Sequence, residues 1–167
     1  MTASLYIHIP FCISHCDYCD FYSELAPSTA LDQFAAVLQT ELERVCNHYN
    51  ISSVPTLYIG GGTPSVLGWR RLKMILDHCN RLFPSWPMEV TVEANPESLD
   101  DALLAMLKDR GVNRISLGIQ SLEKDARQAV HRNGSAAQCR IALAQTARYF
   151  PASFSADLMA GLPFQTQ

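Results

Sequence analysis

Leu5-Tyr-Ile-His-Ile-Pro-Phe-Cys12-Ile-Ser-His-Cys16-Asp-Tyr-Cys19 carries two signals in quick succession. Leu5–Ile9 is a short apolar run closed by Pro10, which reads as a strand. Behind it stands a loop rich in cysteine where a hairpin turn would otherwise be. A helical pattern follows over about Thr29–His48, with Leu31, Phe34, Ala35, Leu38, Leu42 and Val45 on one face. A second strand candidate, Thr56–Ile59, comes next. Strand, loop, long helix and strand make a βαβ unit, and that unit commits the sheet to parallel pairing.

The alternation continues to the end of the sequence. Strand candidates Glu89–Glu93, Arg114–Ile119 and Ser153–Met159 are separated by helix candidates Trp69–Leu82, Ser98–Asp109, Glu123–Val130 and Ala136–Arg148. Thr29 with Asp32, and Ser98 with Asp101, have capping-box spacing and predict two helix starts. The expected fold is α/β, a partial parallel (β/α) barrel, TIM-like and open, truncated after about its fifth strand. Gly161–Gln167 reads as the loop into a helix that does not follow, so one sheet edge is expected to stay unpaired.

Chemistry-bearing residues sit just behind the strands. Pro10–Cys19 follows the first, Gly60–Ser65 the second and Glu93–Pro96 the third. Gln120 and Ser121 end the fourth strand, and Asp157 with Gly161–Pro163 closes the fifth. The C-terminal strand ends form the binding face of barrels and open parallel sheets, so five loops are expected to share one mouth.

Composition sets the class. In 167 residues, 48% are hydrophobic and 17% charged, which fits one globular domain with a core. A net charge of −3 gives no electrostatic reason to expect nucleic acid or an anionic membrane. No apolar run approaches the roughly 20 residues of a transmembrane helix, and Met1–Pro10 lacks the pattern of a signal peptide. The expected address is cytoplasmic.

Six cysteines divide into a triplet and three single residues. Cys46, Cys79 and Cys139 each fall on the apolar face of a helical pattern and read as small buried hydrophobes. Cys12, Cys16 and Cys19 have the spacing C-x3-C-x2-C. Three thiolates on one short loop suit a 4Fe–4S cluster, which normally takes four, so one iron would be left open to another ligand. A zinc site with His15 or His8 as fourth ligand is one alternative. A redox pair of Cys16 and Cys19 is another, and it leaves Cys12 idle.

Gly60-Gly-Gly-Thr-Pro-Ser65 offers close backbone approach and N–H groups to a ligand, or else a tight strand-to-helix turn. Its spacing matches neither nucleotide-phosphate fingerprint. Glu93 is a carboxylate among apolar strand residues and needs a partner, such as a ribose hydroxyl or an ammonium, or else a solvated strand end. Gln120, Arg132 and Asp157 read equally as site or as surface residues. His8, beside Tyr6 on the first strand, suits a structural role as well as a catalytic one.

In combination these motifs resemble the radical S-adenosylmethionine (SAM) superfamily. The triplet with Tyr18 before its last cysteine is similar to the family's cluster signature, and Gly60–Ser65 to its glycine-rich loop for the methionine end of SAM. The resemblance implies a cluster on Cys12, Cys16 and Cys19, and SAM on the open iron, cleaved on reduction to a 5′-deoxyadenosyl radical. Leu5–Cys12, Tyr58–Ser65, Glu93-Ala-Asn-Pro96, Arg114–Ser121 and Asp157–Pro163 extend it to the branch of oxygen-independent coproporphyrinogen III oxidase and the HemW-like haem chaperones. By that resemblance SAM meets Tyr6, Tyr18, Gly61, Gly62, Thr63 and Glu93. Gln120, Arg132 and Asp157 match positions that hold a second SAM in the oxidase.

The oxidase has a further cysteine two residues beyond the triplet, where this sequence has Phe21. Asp20-Phe21 is similar to the chaperones, which bind haem and pass it to acceptor proteins, although His15 and Asp17 replace the Lys and Pro usual there. A haem-trafficking protein is therefore favoured over a porphyrinogen-decarboxylating oxidase and over an inactive fragment. Residues 1–167 correspond to the family's core as an incomplete barrel, with its C-terminal domain absent. Haem and an acceptor protein are implied by the resemblance alone.

Overall fold

The computed structural model describes residues 1–25 and 27–165. β1 (Leu5–Ile9), β2 (Thr56–Gly61), β3 (Glu89–Ala94), β4 (Arg114–Gln120) and β5 (Phe154–Leu158) form one sheet in that order. Every neighbouring pair is parallel. Between the strands run α1 (Ser28–His48), α2 (Gly68–Leu82), α3 (Asp101–Asp109), α4 (Lys124–Ala129) and α5 (Ala136–Tyr149). Short 3₁₀ turns at Pro64–Leu67 and Pro96–Ser98 lead towards α2 and α3. The α/β reading and the partial barrel stand. Both β1 and β5 pair on one side only, so among the described residues the sheet has two open edges where one was expected.

Aliphatic and polar residues alternate along β1 to β4, whereas edge strand β5 leaves Leu158 72% exposed. Ile7, Ile9, Leu57, Ile59, Val90, Val92, Ile115, Leu117 and Ile119 are each at most 2% exposed and pack against the helices. Helix residues Ala35, Leu72, Ile75, Leu76, Leu104 and Leu107 meet them with no exposure at all. Each such aliphatic side chain contributes roughly 2 kcal/mol by leaving water. The intervening positions carry Tyr6, His8, Tyr58, Thr91, Glu93, Arg114 and Ser116, a polar face opposite the helices. No helix among the described residues is long and apolar enough to cross a membrane.

Both predicted capping boxes fail. Thr29 already lies inside α1, whose N-cap position is held by Pro27, and Asp32 turns to Arg71 at 2.6 Å. Ser98 is spent in the 3₁₀ turn, where its hydroxyl bonds Asn95 O and Ser65 Oγ, and α3 is capped by Asp100, which accepts from the Leu103 amide at 2.7 Å. The capping box that does form is Ser135 with Gln138 at α5. Boundaries move too: β2 runs on to Gly61 because Gly60 and Gly61 pair with His8 and Ile9.

One buried cation fixes the chain between β4 and α5. Arg127 of α4 is 2% exposed, and its guanidinium donates to four carbonyls. Ile119 O and Ser121 O lie at the end of β4, while Asn133 O and Gly134 O belong to the α4–α5 loop. Arg127→Leu strands these carbonyls and is expected to lower stability by about 3 kcal/mol. A urea melt checks this, with Arg127→Lys recovering little because an ammonium does not span the four acceptors.

Cys46, Cys79 and Cys139 are 5%, 0% and 0% exposed, as their helix positions predict. Burial pushes all three thiols up, Cys79 to about 12. Metal-free protein treated with iodoacetamide near neutral pH should therefore label Cys12, Cys16 and Cys19 first and the other three only on unfolding, as peptide mass spectrometry would show. The unfolded Cys79 thiol ionises before the folded one. The stability it lends is complete below 9.0 and is lost as pH rises towards 12, so Cys79→Ala should make the alkaline decline shallower.

Candidate functional site

An open cleft of about 170 Å³ lies at the C-terminal ends of the strands. Cys12, Cys16, Tyr18 and Cys19 line one wall, and Gly61, Gly62 and Thr63 another. Glu93, Gln120, Arg132 and Asp157 complete it from β3, β4, the α4–α5 loop and β5. Tyr6 is not among the lining residues. It is 55% exposed, with its ring centroid 6.0 Å from that of Tyr58 and its hydroxyl 3.0 Å from His8 Nδ1.

The cysteine loop is tied at both ends by backbone. The Cys12 amide donates to Glu24 O at 3.0 Å and the Glu24 amide to Pro10 O at 2.7 Å. Buried Phe11 stands edge-on to Phe34 of α1 at 5.1 Å. At the far side the Asp17 amide donates to Val130 O at 3.1 Å, while His131 Nδ1 lies 2.8 Å from Asp17 Oδ1. Tyr18 packs against the small cluster of Ala126, Val130 and Leu162. Burial, followed by Cys16 and Cys19, drives its phenol well above the usual range, with Arg132 pulling the other way.

The glycine loop supplies room instead of free donors. The Gly61 amide donates to Glu93 Oε2 at 3.1 Å, Gly62 to Ile9 O at 2.8 Å and Thr63 to Phe11 O at 2.7 Å, which corrects the expectation that these N–H groups await a ligand. Gly61 has φ +119°, a backbone that side chains rarely adopt. A Cβ on Gly62 would stand 2.7 Å from Phe11 O and 3.0 Å from the Cys12 sulfur. The missing side chain is what lets the two loops touch.

Glu93 already has protein partners. Tyr58 donates to Oε1 at 2.6 Å and Gly61 to Oε2, so the carboxylate is held in place before any ligand arrives. Burial and then this bond raise the Tyr58 phenol above its ordinary range. Asp157 accepts from Ser116 at 3.3 Å. Gln120 sits at φ 66°, at a bulge between β4 and β5, a strained conformation of the kind that gathers at binding sites. Arg132 Nη2 donates to Asn95 Oδ1 at 2.7 Å and to Gly118 O at 2.5 Å, and Nη1 reaches the Cys16 sulfur at 3.8 Å.

Tyr58, Asn95, Glu97, Ser116 and Gly118 belong to this constellation and were not singled out from sequence. Alternation alone places Tyr58 on the face of Glu93, and that was the usable signal. The donor set suits a sulfur-ligated group: three thiols line one cleft, with room made for one of them by Gly62. Among the described residues no three His, Cys, Asp or Glu side chains converge tightly enough for a single ion. A tetrahedral zinc would draw sulfurs to roughly 3.8 Å of one another, given Zn–S near 2.3 Å.

The sequence model of the radical SAM superfamily matches residues 6–167. The heme chaperone HemW of Bacillus subtilis is 37% identical over 165 residues, 98% of this chain and 44% of its own length. Radical S-adenosyl methionine domain-containing protein 1, mitochondrial, of mouse is 34% identical over 164 residues, 98% of this chain and 37% of its own. Among solved structures, coproporphyrinogen III oxidase (HemN) from Escherichia coli superposes with a TM-score of 0.85 at 28% identity, covering 98% of this chain and 38% of that one. The chain spans less than half the length of these relatives. A cleft ringed by three thiols and a glycine loop, at the C-terminal edge of a parallel sheet, thus goes with a family match along nearly all of the sequence: the chain belongs to the radical SAM superfamily.

Proposed function

We propose that Cys12, Cys16 and Cys19 hold a 4Fe–4S cluster with one iron open to SAM, and that the whole protein serves haem trafficking in the manner of the HemW chaperones. The observation that carries the first part is the meeting of the three thiols, the glycine loop and Glu93 in one cleft. When bound, the cluster supplies single-electron chemistry towards SAM. The chain's own residues bind and orient. Gly61 and Gly62 let the methionine end come close to backbone, Thr63 and Tyr18 flank the thiols, and Glu93 offers a pre-set carboxylate to an ammonium or ribose hydroxyl. Among the described residues three carboxylates, Glu93, Glu97 and Asp157, face the cleft against the guanidinium of Arg132, a balance that suits a ligand bearing a sulfonium. Tyr6 stands at the rim beside Tyr58, and Gln120, Arg132 and Asp157 take the positions that hold a second SAM in the oxidase.

Phe21 favours the chaperone over the oxidase. It is 73% exposed, lines the cleft and puts a ring where the oxidase has a further thiol. The structural likeness to HemN keeps the oxidase as the second reading. Haem, an acceptor protein and a cytoplasmic address belong to this proposal.

Anaerobic reconstitution with iron and sulfide tests the first part. The expected product holds about four irons per chain, with an EPR signal of the reduced protein that shifts when SAM is added. Uptake of zinc alone, or no metal in a folded protein, would overturn it. For the second part, the loaded protein should take up haemin with a Soret band and leave coproporphyrinogen unchanged; decarboxylation of coproporphyrinogen would replace the chaperone with the oxidase.

A further inference from the structure

Thr63, Asn95 and Arg132 form a hydrogen-bonded chain that starts at one cysteine sulfur and ends at another. Thr63 Oγ1 lies 3.5 Å from Cys12 Sγ, and Asn95 Nδ2 donates to that oxygen at 2.9 Å. Arg132 Nη2 donates to Asn95 Oδ1 at 2.7 Å, and Nη1 to Cys16 Sγ at 3.8 Å. The residues come from three separate loops, at β2, at β3 and between α4 and α5.

This chain has one self-consistent direction. A guanidinium only donates, so Asn95 must turn its carbonyl oxygen to Arg132 and its NH₂ to Thr63. The Thr63 oxygen then accepts from Asn95, and its own proton is left for the sulfur of Cys12. Both ends therefore donate to sulfur, and Asn95 is the member whose two unlike ends set that direction.

The arrangement is built in from several sides. A Cβ on Gly118 would stand 2.8 Å from Asn95 Oδ1 and 2.9 Å from Arg132 Nη2, so the junction exists because β4 carries no side chain there. The Asn95 amide donates to Ser65 Oγ at 3.2 Å, which fixes its backbone. Arg127 anchors the loop beyond Arg132 through Asn133 O and Gly134 O.

We propose that Asn95 is a positioning residue, which holds Thr63 and Arg132 as donors to the sulfurs of Cys12 and Cys16 and so raises the reduction potential of a cluster on those thiolates. The inference rests on the cluster assignment above. In reduction one electron enters from an external one-electron donor, with no bond broken and no proton moved. The added negative charge is shared with the ligand sulfurs, and donors aimed at sulfur favour that reduced state.

A potentiometric titration with dithionite, followed by EPR on the reconstituted protein, reads this directly. Asn95→Leu keeps the volume and removes both ends. At a fixed potential its ratio of reduced to oxidised cluster should fall about tenfold, a shift of about 59 mV for one electron. Thr63→Val, at one end, and Gly118→Ala, which displaces Arg132 at the other, should move the potential in the same direction. Asn95→Leu combined with Thr63→Val should shift it by less than the sum of the two, because the residues act as one unit. Full additivity, or a wild-type potential in Asn95→Leu at full iron and sulfide content, would overturn the relay and leave the cluster standing. Should Asn95→Leu fail to load, unchanged potentials in Thr63→Val and Gly118→Ala overturn it equally. Wild-type protein without iron sinks the cluster assignment and the relay with it, and the metal analysis tells that failure apart from the others.

Discussion

Successive side chains of a strand point to opposite faces, and parallel pairing in register carries that rule across β1 to β4. Tyr6 pairs with Tyr58, Tyr58 with Thr91 and Thr91 with Arg114, so a polar row runs across four strands. The rows between them are Ile, Leu and Val, and the helices cover those. A slip of one residue in any pair would bury the polar row and expose the aliphatic one. The register that builds the core therefore also decides which residues can face a ligand. It sets Glu93 beside Ser116 and Gly118 beside Asp157, two of the pairings from which the cleft is made.

The loops then depend on one another through backbone. Gly62 and Thr63 donate to carbonyls of Ile9 and Phe11, which continues the β1–β2 pairing one step beyond the sheet. This continuation brings the cysteine loop and the glycine loop together, and it uses the amides that a ligand would otherwise engage. On the other side Asp17 meets Val130 and His131, so the same cysteine loop also rests on the end of α4. Two neighbours of different origin thus fix the three thiols within one cleft.

Period and spacing made most of this legible. The alternation of strand and helix candidates marked all five strands to within two residues, since Ile, Val and Leu at alternate places have few other readings. The convergence of the loops followed from parallel topology, and the burial of Cys46, Cys79 and Cys139 from helix periodicity. Helix starts were less legible, because Thr29 and Ser98 had rivals for their caps in Pro27 and Asp100, and spacing alone does not rank them. The partners inside the cleft were least legible. Tyr58 and Glu93 are 35 residues apart, and Asn95 and Arg132 are 37. Such pairs are set by register and loop path, which leave no local mark in the chain.

Arg132 shows why the cleft holds together as a unit. Its hydrogen-bond partners are an amide oxygen, a backbone carbonyl and a sulfur, and its Nε is buried with no partner among the described residues. Taking a cation this far out of water is costly unless negative charge stands near it. Burial alone would loosen its proton, yet Tyr18, Glu97 and Cys16 outweigh that and hold it more firmly than usual. The guanidinium and the cysteine loop are thus held to one another, with Nη1 3.8 Å from the Cys16 sulfur. One guanidinium with three separate anchors, on Asn95, Gly118 and Cys16, therefore ties the ends of β3 and β4 to the cysteine loop.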